Sequence, residues 1–318
     1  MPVAGGTDLI PNMKHRLFTP GHLVALKGIS HLHGIRVQGE ELTIGACASL
    51  TSVAQSREVR THFPALAEAA GQVAGPQLRN AGTLGGNLCL DTRCTYYNQT
   101  EFWRRALGYC LKKDGTVCHV TRVGRKCVAA HSADTPPVLM TLGAQVELVG
   151  PSGSRVLPVR EFFVADGVWN SRREPDEIVT RVRVPLQPKA FHGSEASGEV
   201  STRVRTGYAK LRQRGAIDFP LLTVAVAVAL APDGTVTWVR GVVTGLGARP
   251  RELTGWEEIA VGEPLTPEVV EALAERAGQQ CRPLENMIQD PGWRGAMVPV
   301  YVRRALGKAV KQGGGGSL

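Results

Sequence analysis

The sequence predicts an α+β fold, because segments that alternate like strands lie beside segments with helical periodicity along the whole chain of 318 residues. The clearest strands are 221–230 and 235–243, which alternate with period two around Pro232-Asp233-Gly234 and therefore predict a hairpin. Helical patterns follow at 267–280 and 292–310. A chain of this length has room for two domains, each with its own core.

The N-terminal part is predicted to mix short strands with short helices. Its strand-like segments are 23–26, 35–38, 42–44, 145–149 and 178–184, and its helical segments are 50–55 and 64–73. A further helix is expected after Ser132, which is placed to cap it, with Pro136 in the first turn and Gly143 at the end. Residues 187–201 are polar and contain Gly, Ser and Pro, so they predict a linker, and 313–318 predict a flexible tail.

The composition is that of a globular protein, with 43% hydrophobic and 20% charged residues. No apolar stretch approaches the roughly 18 residues of a membrane span, so we expect no membrane association. The N-terminus has no basic region followed by an apolar core, so no signal peptide is predicted. We therefore expect a cytoplasmic protein whose thiols stay reduced.

The net charge of +9 is concentrated in one segment. Residues 93–127 carry eight basic side chains and only two acidic ones, Glu101 and Asp114. No nucleic-acid recognition module accompanies this charge, so nucleic acid is not expected as a partner. The segment would instead stabilise a negatively charged centre or attract an acidic electron-carrier protein.

Four cysteines fall within the same basic segment with the spacing C-x15-C-x7-C-x8-C: Cys94, Cys110, Cys118 and Cys127. Four thiolates from one short segment predict a metal or iron–sulfur site. Structural zinc sites usually contain close C-x2–4-C pairs, which are missing here, yet the spacing alone leaves zinc and iron–sulfur both open. Cys47 and Cys281 stand alone and are expected in the core, whereas Cys89 could replace one ligand.

Two Gly-rich loops, Ala4-Gly5-Gly6-Thr7-Asp8 and Thr83-Leu84-Gly85-Gly86-Asn87, are candidate phosphate sites. Backbone N–H groups exposed in such loops form an anion site that suits a diphosphate, and glycine lets the chain approach its ligand closely. Neither loop fits GxGxxG or GxxxxGK[ST], so Rossmann and P-loop phosphate sites are disfavoured. The first loop lies almost at the N-terminus, so we expect the elements that would precede it to be missing.

These loops resemble the two FAD-diphosphate loops in the flavin subunits of molybdenum hydroxylases, the group of xanthine dehydrogenases and carbon monoxide dehydrogenases. The resemblance implies FAD as a cofactor, held by Val3, Ala4, Gly5, Gly6, Thr7, Asp8, Thr83, Leu84, Gly85, Gly86 and Asn87. It also implies further flavin contacts at Val73, Asp134, Ile178 and Lys210.

The resemblance runs nearly end to end and implies a domain layout. An FAD-binding domain of two subdomains would span 1–190, short at its N-terminus and interrupted by an inserted loop at 91–128. A linker at 191–201 would lead to a C-terminal α+β domain at 202–318, a sheet backed by helices like that of carbon monoxide dehydrogenase flavoproteins.

The cysteine segment, beginning with Asp91-Thr92-Arg93-Cys94, is similar to the β subunit of 4-hydroxybenzoyl-CoA reductases. That resemblance implies a [4Fe–4S] cluster bound by the thiolates of Cys94, Cys110, Cys118 and Cys127, and it favours iron–sulfur over zinc. It further implies an electron-transfer subunit in a dimer of heterotrimers, with a [2Fe–2S] subunit and a molybdopterin-binding catalytic subunit. Electrons from ferredoxin would pass through the cluster and FAD to these partners, which remove the phenolic hydroxyl of 4-hydroxybenzoyl-CoA.

Two other functions stay open. The chain could serve another enzyme of the same superfamily and pass electrons outward to NAD⁺, a quinone or ferredoxin. It could also be a zinc-stabilised scaffold with no redox role. No Ser–His–Asp arrangement, HExxH motif or paired carboxylates are recognised, so no catalytic residues are assigned to this chain.

Residues around the cysteines are expected to have supporting roles. Tyr96, Tyr97 and Trp103 would shield the site from water or simply pack the loop. His119 and His131 are expected at a polar surface or beside the ligands rather than among them. Farther along, residues 203–214 contain five basic residues and no acid, and we expect a solvated loop that could also contact the flavin phosphates.

Overall fold

The computed structural model describes residues 1–121, 124–187 and 204–312. The predicted linker at 191–201 and the predicted tail at 313–318 lie outside these residues. Among the helices that are described, none is both long and apolar enough to cross a bilayer.

The described strands form three sheets. They are β1 Pro2–Val3, β2 Val24–Ala25, β3 Ile35–Gln38, β4 Glu41–Gly45, β5 Gln145–Gly150, β6 Gly153–Pro158, β7 Ile178–Pro185, β8 Val204–Leu211, β9 Leu222–Leu230, β10 Val236–Thr244 and β11 Arg251–Leu253. The short β1 pairs in parallel with β2, and the other two sheets are antiparallel, with the orders β3-β4-β7-β5-β6 and β11-β10-β9-β8.

The helices pack around these sheets. They are α1 Leu9–Lys14, α2 Leu50–Gln55, α3 Arg57–His62, α4 Pro64–Gly71, α5 Pro76–Ala81, α6 Leu84–Leu88, α7 Glu101–Leu107, α8 Thr135–Thr141, α9 Val159–Phe162, α10 Glu257–Ala260, α11 Pro267–Gln280 and α12 Pro291–Lys311. Most of the predicted segments are therefore confirmed as elements, with ends that differ by one or two residues. The predicted hairpin is confirmed as β9 and β10.

The four-stranded sheet is buried on both faces and joins the two halves of the chain. Along β9, Val224, Val226 and Val228 face a core formed with α11 and α12. Between them, Ala225 belongs to the other core, which contains Leu42 and the rest of the N-terminal sheet. This double burial explains why β9 is a continuous apolar run rather than an alternation of apolar and polar residues.

Helix α12 lies against β8 at a position that only glycine allows. A Cβ atom added to Gly207 would overlap the carbonyl oxygen of Ala305 on the helix. We expect Gly207→Ala to lower the free energy of unfolding by about 1–3 kcal/mol, because the helix and strand must move apart. Urea unfolding measures the effect. Gly307→Ala on the same helix is the matched control, because its Cβ would meet open space, and it should be neutral or stabilising.

Three expectations about local structure are wrong. Ser132 does not cap a helix: α8 begins at Thr135 with Asp134 at the N-cap, and the Asp134 side chain bonds elsewhere. Most of the expected basic loop at 203–214 is instead strand β8. The second Gly-rich loop is not an open turn, since Thr83 caps the short helix α6 by accepting a hydrogen bond from the Gly86 N–H at 3.1 Å.

Candidate functional site

The two Gly-rich loops lie side by side. Pairing of β1 with β2 directs the first loop against the end of α5, where a Cβ on Gly5 would overlap the carbonyl oxygen of Ala81. An ideal Cβ on Gly82 would lie 3.4 Å from the Thr7 hydroxyl. Glycine is therefore required at this contact, and the fold brings together two loops that are far apart in sequence.

The first loop supplies the open hydrogen-bond donors. Within the described residues, the backbone N–H groups of Gly5, Gly6 and Thr7 donate no hydrogen bond to the protein. Gly6 has a φ of +68°, a left-handed conformation that favours glycine. Successive free N–H groups in such a loop form a concave site for an anion. The loop therefore fits a diphosphate.

The second loop differs from the first, because its N–H groups already have acceptors inside the protein. Leu84 and Gly85 donate to the carbonyl oxygens of Ala48 and Ala46, at 3.0 and 2.8 Å. A Cβ on Gly85 would lie 2.7 Å from the Cβ of Ala46, so this glycine lets α6 pack closely. The loop thus shapes the wall of the site, while the first loop presents the donors.

Asp134 and Lys210, two predicted flavin contacts, form a buried ion pair. The Lys210 Nζ lies 2.9 Å from Asp134 Oδ1, and the Tyr208 hydroxyl donates to the same oxygen at 2.6 Å. Lys210 also donates to the carbonyl oxygen of Gln72 at 3.0 Å, directly before Val73. Burial raises the pKa of Asp134, while Lys210 and Tyr208 oppose the rise. Ile178 begins β7, where it pairs with Val149.

The first loop is tied to the cysteine segment by an ion pair that the sequence did not predict. Asp8 pairs with Arg93, whose guanidinium also stacks 4.2 Å from the ring centre of Phe219. Burial lowers the pKa of Arg93 to about 10. The pair fixes the start of the cysteine segment against the first Gly-rich loop.

The four predicted ligands, Cys94, Cys110, Cys118 and Cys127, line one cavity. All four are buried, and the cavity between them is small, with a volume of about 10 Å³. Cys47 and Cys281 are buried elsewhere, as predicted. Cys89 is exposed and does not line the cavity.

The protein holds the thiols in place through the backbone. Asn98 accepts a hydrogen bond from the Cys94 N–H at 2.9 Å, and the Ala129 N–H donates to the sulfur of Cys127 at 3.5 Å. Burial raises the pKa of Cys94 to about 11, and the other three thiols add to the rise. Deprotonation of the Cys94 thiol would therefore be favoured by a nearby cation, which a metal centre would supply.

A buried lysine also lines this cavity. The Lys112 ammonium lies 2.6 Å from Asp91 Oδ1, donates to the carbonyl oxygen of Gly167 at 2.8 Å and sits 4.4 Å from the ring centre of Tyr97. Arg104 is buried as well and donates to the carbonyl oxygen of His15 at 2.9 Å. The basic segment is therefore not simply a surface patch, because Arg93, Arg104 and Lys112 all point inward.

The aromatic and histidine side chains that were expected around the four cysteines do not all lie there. Tyr96 and Tyr97 line the cavity, but Trp103 does not and is 38% exposed. His119 also lines it and contacts the carbonyl oxygen of Tyr109 at 2.6 Å. His131 was expected at a polar surface or beside the ligands; the polar surface is wrong, since His131 is fully buried, and His131 does not line the cavity. In the described part of the chain, no three His, Cys, Asp or Glu side chains converge closely enough to hold a single metal ion.

Comparison with known proteins identifies the family. The FAD binding domain in molybdopterin dehydrogenase matches residues 1–187, and the carbon monoxide dehydrogenase flavoprotein C-terminal domain matches residues 207–309. The chain belongs to this flavoprotein family. It is the FAD subunit of an oxidoreductase of the molybdenum hydroxylase group, and the predicted α+β fold is confirmed.

Similarity to individual members extends over most of the chain. The carbon monoxide dehydrogenase medium chain of Hydrogenophaga pseudoflava is 29% identical over 308 residues, which cover 96% of this chain and 88% of that protein. The aldehyde oxidoreductase FAD-binding subunit of Escherichia coli (strain K12) is 31% identical over 243 residues, covering 73% and 71%. The solved carbon monoxide dehydrogenase from Hydrogenophaga pseudoflava matches with a TM-score of 0.75 at 28% identity, covering 98% and 90%.

Proposed function

We propose that this flavoprotein is the FAD and [4Fe–4S] electron-transfer subunit of a molybdenum-containing 4-hydroxybenzoyl-CoA reductase. The supporting observation is that Cys94, Cys110, Cys118 and Cys127 surround one cavity. A four-iron cluster takes one thiolate per iron, so its ligands must surround a space rather than meet at a point. FAD and the cluster, when bound, would supply the electron transfer that protein side chains cannot.

The residues proposed to hold FAD are those of the two loops together with Val73, Asp134, Ile178 and Lys210. Gly5, Gly6 and Thr7 would donate backbone hydrogen bonds to the diphosphate, because their N–H groups have no acceptor among the described residues. Lys112 would place a fixed positive charge beside the four thiolates and so offset their negative charge.

The proposed partners are a molybdopterin-binding catalytic subunit, a [2Fe–2S] subunit and a ferredoxin donor, in a cytoplasmic dimer of heterotrimers. Arg105, Arg125 and Lys126 remain exposed on the cysteine segment and could attract an acidic ferredoxin. This attraction predicts that electron transfer from ferredoxin slows as ionic strength rises. A rate of electron transfer from ferredoxin that does not change with ionic strength would count against electrostatic docking.

Metal and flavin analysis tests the proposal directly. The complex would be purified without oxygen after the chain is co-expressed with its partner subunits. We expect four irons, acid-labile sulfide and one FAD per chain. Cys110→Ser should lose the cluster and keep its FAD, because the two sites are held by different residues. Cys281→Ser, in the C-terminal core, is the matched control and should keep both. Zinc in place of iron would instead support a zinc-stabilised scaffold.

A second candidate is an FAD subunit that passes electrons outward. It is favoured by the names of its relatives, which include a carbon monoxide dehydrogenase and a nicotinate dehydrogenase. Stopped-flow measurements of the flavin distinguish the two. Reduction by a low-potential ferredoxin supports the reductase, whereas rapid oxidation of the reduced flavin by NAD⁺ or a quinone supports the second candidate.

A further inference from the structure

A second cavity, of about 600 Å³, lies between α12, the start of α11 and strand β8. Its volume falls in the range of about 300–1,000 Å³ that is typical of small-molecule sites. Its charged lining residues are five cations and one acid: Lys210, Arg303, Arg304, Lys308, Lys311 and Glu271. We refer to it as the cationic cleft.

The exposed wall of the cationic cleft is a stripe of cations on α12. Arg304, Lys308 and Lys311 follow one another at intervals of four and three residues, so they share one face of the helix. The Arg304 guanidinium is positioned 4.6 Å from the ring centre of Tyr301. Like charges at this spacing repel one another, so an anion bound between them would relieve the repulsion.

The remaining cations of the cleft already have carboxylate partners. Lys210 pairs with Asp134, and Lys308 pairs with Glu68. Arg303 donates from Nη1 to both carboxylate oxygens of Glu271, at 2.7 and 2.9 Å. Among the described residues, Arg304 and Lys311 form no ion pair. Two cations without a carboxylate partner therefore line the cleft. They complement a ligand that carries at least two negative charges.

The cleft is also lined by the apolar residues Ala209, Pro267 and Val270. A ligand that contacts both these residues and the cations combines an apolar part with a multiply charged part. We propose that the cationic cleft binds a nucleoside diphosphate or triphosphate, with the phosphates at Arg304 and Lys311. Guanidinium and ammonium groups both bind phosphate oxygens well, and arginine does so with two parallel hydrogen bonds.

This site is separate from the phosphate loop but is linked to the flavin site. Lys210 is one of the lining residues of the cleft, and its buried ammonium contacts Asp134. A bound nucleotide would add negative charge near Lys210 and so change the electrostatic field at the flavin. Nucleotide binding is therefore expected to shift the flavin absorption spectrum.

Titration of the FAD-loaded complex with ADP tests the inference, because the flavin sites are then occupied and cleft variants distinguish binding at the cleft from binding elsewhere in the complex. We expect Arg304→Ala/Lys311→Ala to weaken ADP binding by about tenfold or more in calorimetry, as befits the loss of two charge-assisted contacts. Arg57→Ala/Arg60→Ala removes the same charge from exposed positions on α3 and should leave affinity within about twofold. Both replaced cleft side chains are exposed, so the melting temperature should not change.

Each alternative result would overturn the proposal in a recognisable way. Absence of ADP binding by the wild-type complex would reject the site. Equal weakening in both double variants would indicate general charge attraction, and loss of FAD from Arg304→Ala/Lys311→Ala would assign the cleft to the flavin site. Tripolyphosphate that binds as tightly as ADP would reject the nucleoside part.

Discussion

Replacing Lys210 by methionine is expected to lower the free energy of unfolding by about 3–5 kcal/mol, because it leaves a buried carboxylate without its cation. The Lys210 side chain is completely buried, and that of Asp134 is 4% exposed, so water cannot take the place of the ammonium. The Tyr208 hydroxyl remains, but one neutral donor does not replace a charge. Urea unfolding at neutral pH measures the loss.

Two further variants test whether loss of the buried ion pair causes the loss of stability in Lys210→Met. Lys308→Met breaks a half-exposed pair with Glu68 and should cost no more than about 1 kcal/mol. Adding Asp134→Asn to Lys210→Met should recover much of the loss, because the buried charge disappears together with its partner. The loss should also shrink at acid pH, where the unpaired Asp134 can take up a proton. A Lys210→Met variant as stable as Lys308→Met would show that the buried pair does not hold this part of the fold together.

Strong local signals in the sequence predicted most of the elements. Helices α2 and α11 have the predicted limits, since a serine or threonine cap and a clear apolar face define them. Strand β8 was missed because its polar residues are satisfied by groups that are distant in sequence. Thr206 accepts a hydrogen bond from the Ala65 N–H at 3.4 Å, and Lys210 pairs with Asp134. Such partners exist only in the folded chain.

The convergence of the four cysteines was predictable, whereas the direction of the charged side chains around them was not. The sequence shows that Arg93, Arg104 and Lys112 are basic, but it does not show where they point. Arg104 is satisfied by backbone carbonyl oxygens, among them that of His15, and these groups carry no sequence signal. Asp8 and Asp91 pair with two of these cations, but nothing in the sequence indicates which basic residue each acid would meet.

His131 is a buried histidine whose ring lacks a polar partner in the part of the chain that the structure describes. It is completely inaccessible, and neither ring nitrogen has a hydrogen-bond partner among the described residues. Its ring packs edge-on to Phe163, with 4.7 Å between the ring centres, and its backbone forms hydrogen bonds with Gly245 and Gly247. Burial lowers the pKa of His131 to about 3. The imidazole of His131 is therefore neutral in the folded protein.

The lowered pKa of His131 predicts that the folded protein becomes less stable at acid pH. Between the unfolded pKa of about 6.5 and the folded pKa of about 3, the unfolded chain binds a proton at His131 that the folded chain does not. Stability should therefore fall as the pH drops through this range, by about 1.4 kcal/mol per pH unit from this residue, and it should be constant above it.

His131→Phe should abolish this contribution, because phenylalanine does not titrate. The difference in unfolding free energy between wild type and variant is expected to change by about 2 kcal/mol in favour of the variant from about pH 7 to pH 5. The exposed His31→Phe is the matched control and should follow the wild type at both pH values. Carboxylates also titrate in this range, but they do so equally in all three proteins and cancel in the differences. A pH-independent difference for His131→Phe would mean that His131 takes up its proton as readily in the folded protein as in the unfolded chain, so that burial does not lower its pKa.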